Sequence, residues 1–263
     1  MKTIRTALFL SLLAFGFLSM NFKDGNHSTM AKGGILVIPF HPSMYFNSND
    51  QFICQANNIT PAELSSRIRA GVCGSMLDKL YGNYPSDTIS SSGGSKIRSD
   101  VDRLYGIANY GLEEKPILAY YNKVMPGTKG EKSIFNFNNK KNEPEYLNPA
   151  KPNLKKHRYY KVSFKDTATY RNIIGKYGVS YVLFIDHFEM ETSFKDCVEM
   201  HNNVSKRDLY VHYTLLDDKG KFKDGGVVCL TYQSSSNNVQ ELLKGTLPDL
   251  AGMILQEIKP NLK

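Results

Sequence analysis

The sequence lacks the short motifs that mark many hydrolytic active sites. It contains neither G-x-S-x-G nor S-x-x-K, so nothing indicates the serine chemistry that uses those motifs. The Gly-Gly-Ser-Lys segment at residues 93–96 lacks the first glycine and the preceding strand of a phosphate-binding loop, which excludes that kind of nucleotide site. These absences favour a non-enzymatic protein that needs no cofactor.

Long apolar runs are also scarce, and the one that stands out is at the N-terminus. Lys2 and Arg5 precede residues 6–22, which carry no charge and are largely apolar. This layout is typical of a secretory signal peptide. No small-x-small cleavage site follows, so an uncleaved N-terminal anchor is the alternative, although the run is shorter than the roughly 20 residues of a membrane span. No cysteine lies near residue 20, which argues against a lipid anchor. We expect an exported protein, periplasmic or associated with the outer membrane.

Cysteine is rare, and its number leaves the redox state open. An even count in an oxidising compartment permits one or two disulfides, and spacing alone does not choose among the pairings. Buried thiols are the alternative at the two cysteines in apolar patterns, Cys73 and Cys229. The four cysteines are Cys54, Cys73, Cys197 and Cys229.

Acidic residues are outnumbered by basic ones, and the excess is local. The formal net charge is +8, and residues 115–161 alone carry a net +8. The overlapping segment 112–158 contains five prolines and little periodicity, so we expect it to be an insertion within a single domain spanning residues 32–263.

The cations and aromatic rings of this insertion are the candidate partner-binding residues. They suit an envelope protein or complex, an anionic membrane surface or a cell-wall polymer. Nucleic acid would also suit cations interleaved with rings, but export argues against it. The oligomeric state stays open, and a solvated loop is the alternative interpretation. The candidates are Lys140, Lys141, Lys151, Lys155, Lys156, Arg158, Tyr120 and Tyr121.

The remaining pattern predicts an α/β (α+β) fold, with a mixed β-sheet of about five strands packed by amphipathic helices. Thr60, Pro61 and Glu63 form a strong helix start, followed by apolar residues at every fourth position to residue 80. The turn-rich stretches 41–59 and 82–95 are expected to be loops. The other predicted helices are 95–110, 166–178 and 237–258, the last bent at Pro248; the predicted strands are 34–40, 159–164, 180–192, 208–217 and 226–232.

Three segments carry a resemblance to a known group of envelope proteins. The strand GILVIPF (34–40), the segment GVSYVLF (178–184) and the hairpin sequence at 208–232 resemble the amino-terminal domain of TolB, the curli secretion channel lipoprotein and the penicillin-binding-protein activator lipoproteins. The likeness covers about two thirds of the mature chain. It implies an adaptor or assembly protein that binds other envelope proteins without enzymatic activity. This chain departs from the lipoproteins in lacking a cysteine after the signal, and the basic insertion is outside the shared part.

One polar constellation invites a metal-site interpretation. On a strand over residues 180–192, His187, Glu189 and Glu191 share one face, with Phe184, Phe188 and Met190 on the other. An imidazole and two carboxylates are possible metal ligands, as in a periplasmic hydrolase or metalloprotein. The alternative is the solvent-facing side of a half-buried strand, and we expect no metal.

A second pair of potential ligands has helical spacing. Cys197 and His201 are four residues apart, but no second pair at zinc-like spacing accompanies them.

Overall fold

The fold is a mixed β-sheet with helices on both faces and a small ribbon on one of them, as seen in a computed structural model. The structure describes residues 34–88, 95–116, 118–124, 156–192, 205–234 and 237–262. The expected signal at 1–22, Cys197, His201 and the candidate lysines 140, 141, 151 and 155 lie outside these residues. No helix in the described part is long and apolar enough to cross a membrane.

The main sheet confirms the predicted α/β class, with seven strands where about five were expected. The strands of the described residues are numbered β1 to β9 in chain order, and the strand order in this sheet is β3-β1-β7-β8-β9-β5, with β2 paired to β7. Parallel pairs form the β1 side, and antiparallel pairs join β7, β8 and β9. The seven strands are β1 (Ile35–Ile38), β2 (Tyr45–Asn47), β3 (Ser86–Thr88), β5 (Leu118–Val124), β7 (Tyr181–Thr192), β8 (Ser205–Asp217) and β9 (Phe222–Ser234).

A separate two-stranded antiparallel ribbon lies over one face of this sheet. It consists of β4 (Ala108–Pro116) and β6 (Lys156–Phe164), and we call it the ribbon. Near the two ends of the predicted insertion, residues 112–116, 118–124 and 156–158 lie in strands. The predicted helix 95–110 ends at Ile107, because the next residues pair with β6.

Two hydrophobic cores fill the space on either side of the sheet. The first lies between the sheet and the helices α1, α2 and α6; the second lies between the sheet, α3, α4 and the ribbon. Every residue of β1 is buried because the strand has a core on each side, which is what its continuous apolar sequence predicts. The helices are α1 (Asp50–Asn57), α2 (Pro61–Leu80), α3 (Ser95–Ile107), α4 (Thr167–Ile174), α5 (Val239–Glu241) and α6 (Leu247–Ile258).

The C-terminal helix differs from its prediction in a specific way. Residues 239–258 form α5, a π-helical turn (Leu242–Thr246) and α6 instead of one bent α-helix. Pro248 has no N–H to continue an α-helical ladder, and the N–H of Leu247 bonds instead to the carbonyl of Leu242, five residues back. The wide turn thus absorbs the disruption just before the proline.

The three described cysteines form no disulfide. Cys54 and Cys73 are buried in the first core and Cys229 is half-buried on β9. Within the described residues, the interpretation of these cysteines as thiols therefore fits better than a disulfide framework.

Candidate functional site

The candidate site lies on the ribbon side of the sheet, where β7 contains a β-bulge. The pairing of β7 with β8 shifts between Ile185 and His187, so Asp186 is the extra residue. Before the bulge Leu183 and Ile185 face the first core; after it Phe188 and Met190 do. The bulge therefore reverses the alternation and places Asp186 beside His187 on the ribbon side.

Because of this reversal, one residue predicted for the apolar face of β7 lies on the other face. Phe184 was expected to share a face with Phe188 and Met190, but it packs in the second core, on the opposite side. His187, Glu189 and Glu191 do follow one another on one face, as predicted, because all three come after the bulge.

The register of β8 brings a second histidine to this face. His212 lies directly opposite His187, and the two rings are 5.1 Å apart between centroids. Nε2 of His187 is 3.6 Å from Oε2 of Glu189, an ion-pair distance when the imidazole is protonated. The hydrogen bond with His187 lowers the pKa of Glu189, and the partial burial of the carboxyl opposes this shift.

A potential ligand set follows from this arrangement. His187, Glu189 and His212 each place one ligand atom within 4.8 Å of the other two. Two imidazoles and one carboxylate match the donor set of many zinc sites. The structure thus replaces the predicted Glu191 with His212, which sequence reasoning missed because it lies on the next strand.

The hydrogen bonding of His212 opposes metal ligation. Its Nδ1 accepts the backbone N–H of Tyr160 at 3.0 Å. In a neutral imidazole the proton then sits on Nε2, the nitrogen that a metal would need unprotonated. Histidines that bind metals usually donate their second ring N–H. In this orientation His212 is a fixed acceptor and not a metal ligand.

A second polar pair on the same face has the same kind of role. Thr214 Oγ1 accepts the backbone N–H of Val162 at 3.1 Å and donates to Oδ2 of Asp186 at 2.5 Å. Asp186 is fully buried, and this burial raises the pKa of its carboxyl well above the usual range. Among the described residues, Oδ1 of Asp186 and Nδ1 of His187 are buried without a hydrogen-bond partner.

These contacts show how the ribbon meets the sheet. The N–H groups of Tyr160 and Val162 are donors on the edge of β6 that faces away from β4, and β8 side chains accept both. One side of β6 contacts β7 and β8, since the ring of Tyr160 lies 5.0 Å from that of His187. The other side meets β9, where Tyr159 packs with Val227. The ribbon therefore meets the sheet mainly through β6, while Ala108 and Tyr110 of β4 pack against the second core.

The predicted partner-binding residues that the structure describes are not brought to this cluster. Tyr120 and Tyr121 are in β5 at the far side of the sheet order, and Lys156 is the first residue of β6. Arg158 is exposed and pairs with Glu114 across the ribbon at 3.7 Å.

No protein-family model matches this chain, and no curated protein is significantly similar to it in sequence.

Proposed function

We propose that this protein is an exported, non-enzymatic component of the cell envelope that binds another envelope protein. The proposal rests on the role of the ribbon-side polar cluster, by which we mean the polar side chains of β7 and β8 that face the ribbon. His212 and Thr214 accept backbone N–H groups of β6, so the cluster serves to hold the ribbon on the sheet. The polar residues that could have formed a reaction centre are therefore explained by a structural role, which is to hold the ribbon on the sheet.

Two features of the sequence support the same proposal. The cationic and apolar N-terminus is typical of an export signal. The resemblance to the TolB amino-terminal domain and the related lipoproteins implies an envelope adaptor. The observed succession of β1, α2, β7, the β8–β9 hairpin and a closing helix is compatible with that implication.

The test is chemical crosslinking in whole cells followed by fractionation and identification of the crosslinked protein. We expect the chain in the envelope fraction, joined reproducibly and in near-stoichiometric amount to one envelope protein. Recovery of the chain in the cytoplasm, or in the envelope without such a partner, would contradict the proposal. A variant lacking residues 1–22 is the matched control, since it should remain in the cytoplasm and lose the crosslink.

A periplasmic metalloprotein or hydrolase is the second candidate function, favoured by the 4.8 Å grouping of His187, Glu189 and His212. It requires the His212 ring to give up the bond from Tyr160. Metal analysis of the purified protein separates the two candidates: stoichiometric zinc that is lost in His187→Ala would support the metalloprotein, and its absence from the wild type would support the adaptor.

A further inference from the structure

The outer edge of the ribbon has a defined set of backbone groups that point away from β6. In an antiparallel pair, opposite residues either exchange two hydrogen bonds or none, in alternation. Tyr160 and Val162 direct their N–H groups to β8, so their neighbours Tyr159 and Lys161 are the ones that bond to β4. Their partners there are Glu113 and Gly111.

It follows that the intervening residues of β4 point their N–H and C=O groups away from β6. These residues are Tyr110, Leu112 and Glu114. In the described part of the chain no strand pairs with this edge. An exposed edge of this kind is a template for pairing with another strand.

We propose that β4 pairs with β4 of a second copy of this chain, antiparallel and centred on Leu112. In this register Leu112 lies opposite Leu112 of the second copy, and Tyr110 lies opposite Glu114. All three residues carry outward N–H and C=O groups, so each opposing pair exchanges two hydrogen bonds. The two ribbons then form one four-stranded sheet, related by a two-fold axis as in most homodimers.

Apolar exposure and charge both favour this occupant. Leu112 is 55% exposed, and the register covers it with its own counterpart at the axis. Glu113 is neutralised by Lys161 at 2.7 Å, and Glu114 is paired with Arg158. The proposed β4–β4 interface therefore brings no unpaired carboxylates of these two glutamates together. Pro116, which has no N–H, ends the pairing where it would meet Ala108.

Disulfide trapping tests the register. Leu112→Cys is made in a background with Cys197→Ser and Cys229→Ser, because Cys54 and Cys73 are buried. The two Cα atoms at position 112 would be about 5.5 Å apart, which suits a disulfide. Glu114→Cys is the control, because four residues separate position 114 from its own copy along the pair, about 14 Å.

We expect Leu112→Cys to form a covalent dimer under mild oxidation and Glu114→Cys to stay monomeric. Equal trapping of both variants, or trapping of neither, would overturn the proposal. A wild type that sediments with the mass of one chain at all concentrations in analytical ultracentrifugation would overturn it as well. The inference does not depend on the proposed envelope partner, since it is tested on the purified full chain.

A backbone variant separates edge pairing from general damage. Leu112→Pro removes an N–H that faces away from β6, so the ribbon keeps its internal bonds while the outer edge loses a donor. We expect its sedimenting mass to halve to that of one chain while the circular dichroism of the folded chain stays unchanged. Leu112→Ala keeps the N–H and is the matched control. A dimer that survives in Leu112→Pro would contradict the pairing.

Discussion

At the scale of single residues, Thr214 links the two layers of the ribbon-side face. Its hydroxyl accepts from the backbone of β6 and donates to a buried carboxyl on β7. Both partners lie where water does not compete, since Thr214 and Asp186 are buried. A buried polar group that loses its partner costs more than the bond contributed, so this hydroxyl is a sensitive point of the fold.

The first prediction concerns that hydroxyl. Thr214→Val keeps the shape but leaves the N–H of Val162 without its acceptor, and should lower the free energy of unfolding by roughly 1–3 kcal/mol. Thr214→Ser retains the oxygen and should cost less. Urea unfolding of both variants and the wild type measures the difference. A valine variant as stable as the serine variant would show that the hydroxyl does not hold the ribbon.

The second prediction concerns the pH dependence of stability. Burial raises the pKa of Asp186 above its value of 3.8 in the unfolded chain, so the folded state keeps a proton that the unfolded state releases. Stability from this residue is therefore complete below about pH 4 and falls as pH rises through the folded pKa. The slope for one proton is about 1.4 kcal/mol per pH unit.

Asp186→Asn removes that titration. Between pH 5 and pH 7 we expect the wild type to lose more stability than the variant, measured as the free energy of urea unfolding at each pH. Parallel curves for the two proteins would mean that Asp186 is ionised in the folded state.

Part of this site was predictable from the sequence, and part was not. Strand alternation placed His187, Glu189 and Glu191 on one face. It could not reveal the bulge at Asp186, because an extra residue is defined by its partner strand and leaves no mark in a local pattern. His212 and Tyr160 joined the site only through pairing between distant segments.

At the scale of elements, α2 is the clearest case in which local sequence sets local structure. Thr60 and Glu63 form the predicted reciprocal capping box, and Pro61 occupies the first turn. The apolar positions of the helix, from Leu64 to Leu80, are buried against the sheet and α6. Each of these features follows from residues within one helix.

The third prediction uses two glycines of α2 as a matched pair. A Cβ on Gly74 would meet nothing within 4 Å, so Gly74→Ala should raise the free energy of unfolding by roughly 0.5–1 kcal/mol through helix propensity. A Cβ on Gly71 would lie 2.7 Å from Cδ2 of Leu243 and 2.9 Å from Cδ1 of Leu247. Overpacking of this kind costs about 1–3 kcal/mol, which cancels or exceeds the gain.

Thermal or urea unfolding of Gly71→Ala and Gly74→Ala gives the comparison directly. From the most stable to the least stable, we expect the order Gly74→Ala, wild type, Gly71→Ala. A stabilised Gly71→Ala would mean that α2 and the π-helical turn are farther apart than the structure has them.

Other elements escaped prediction because tertiary contacts create them. Residues 41–59 were expected to be a loop, yet α1 forms there because Ile53 and Cys54 pack into the first core, and Asn58 ends it with a positive φ of 52°. The sequence of β4 shows no apolar alternation, since both of its faces are partly exposed. It is a strand because β6, more than 40 residues later, pairs with it.

At the scale of the whole molecule, the excess positive charge and the described fold are largely separate. The described ribbon lysine and arginine side chains meet glutamates, as at Lys161 and Arg158. The candidate lysines at 140, 141, 151 and 155 belong to the stretch between β5 and β6. Deleting all of 112–158 would remove β5 and parts of β4 and β6, so it would not test docking through the insertion.

The fourth prediction concerns a variant in which residues 126–154 are replaced by a Gly-Ser linker of equal length. Since β4, β5 and β6 are retained, we expect the unfolding midpoint and the circular dichroism to match the wild type. If the insertion docks on an anionic surface, sedimentation with anionic lipid vesicles should be lost in this variant while neutral vesicles bind neither protein. Unfolding of the variant would show that the replaced stretch is part of the core.

The polar side chains between the ribbon and the sheet are a structural anchor, with His212 as a neutral acceptor. The most direct measurement is the pair of ¹⁵N NMR shifts of the His212 ring, recorded well above the usual histidine pKa of about 6.5, with and without one equivalent of Zn²⁺. We expect an unprotonated Nδ1, a protonated Nε2 and no change on adding zinc. A proton on Nδ1, or a zinc-dependent shift shared with His187, would contradict it.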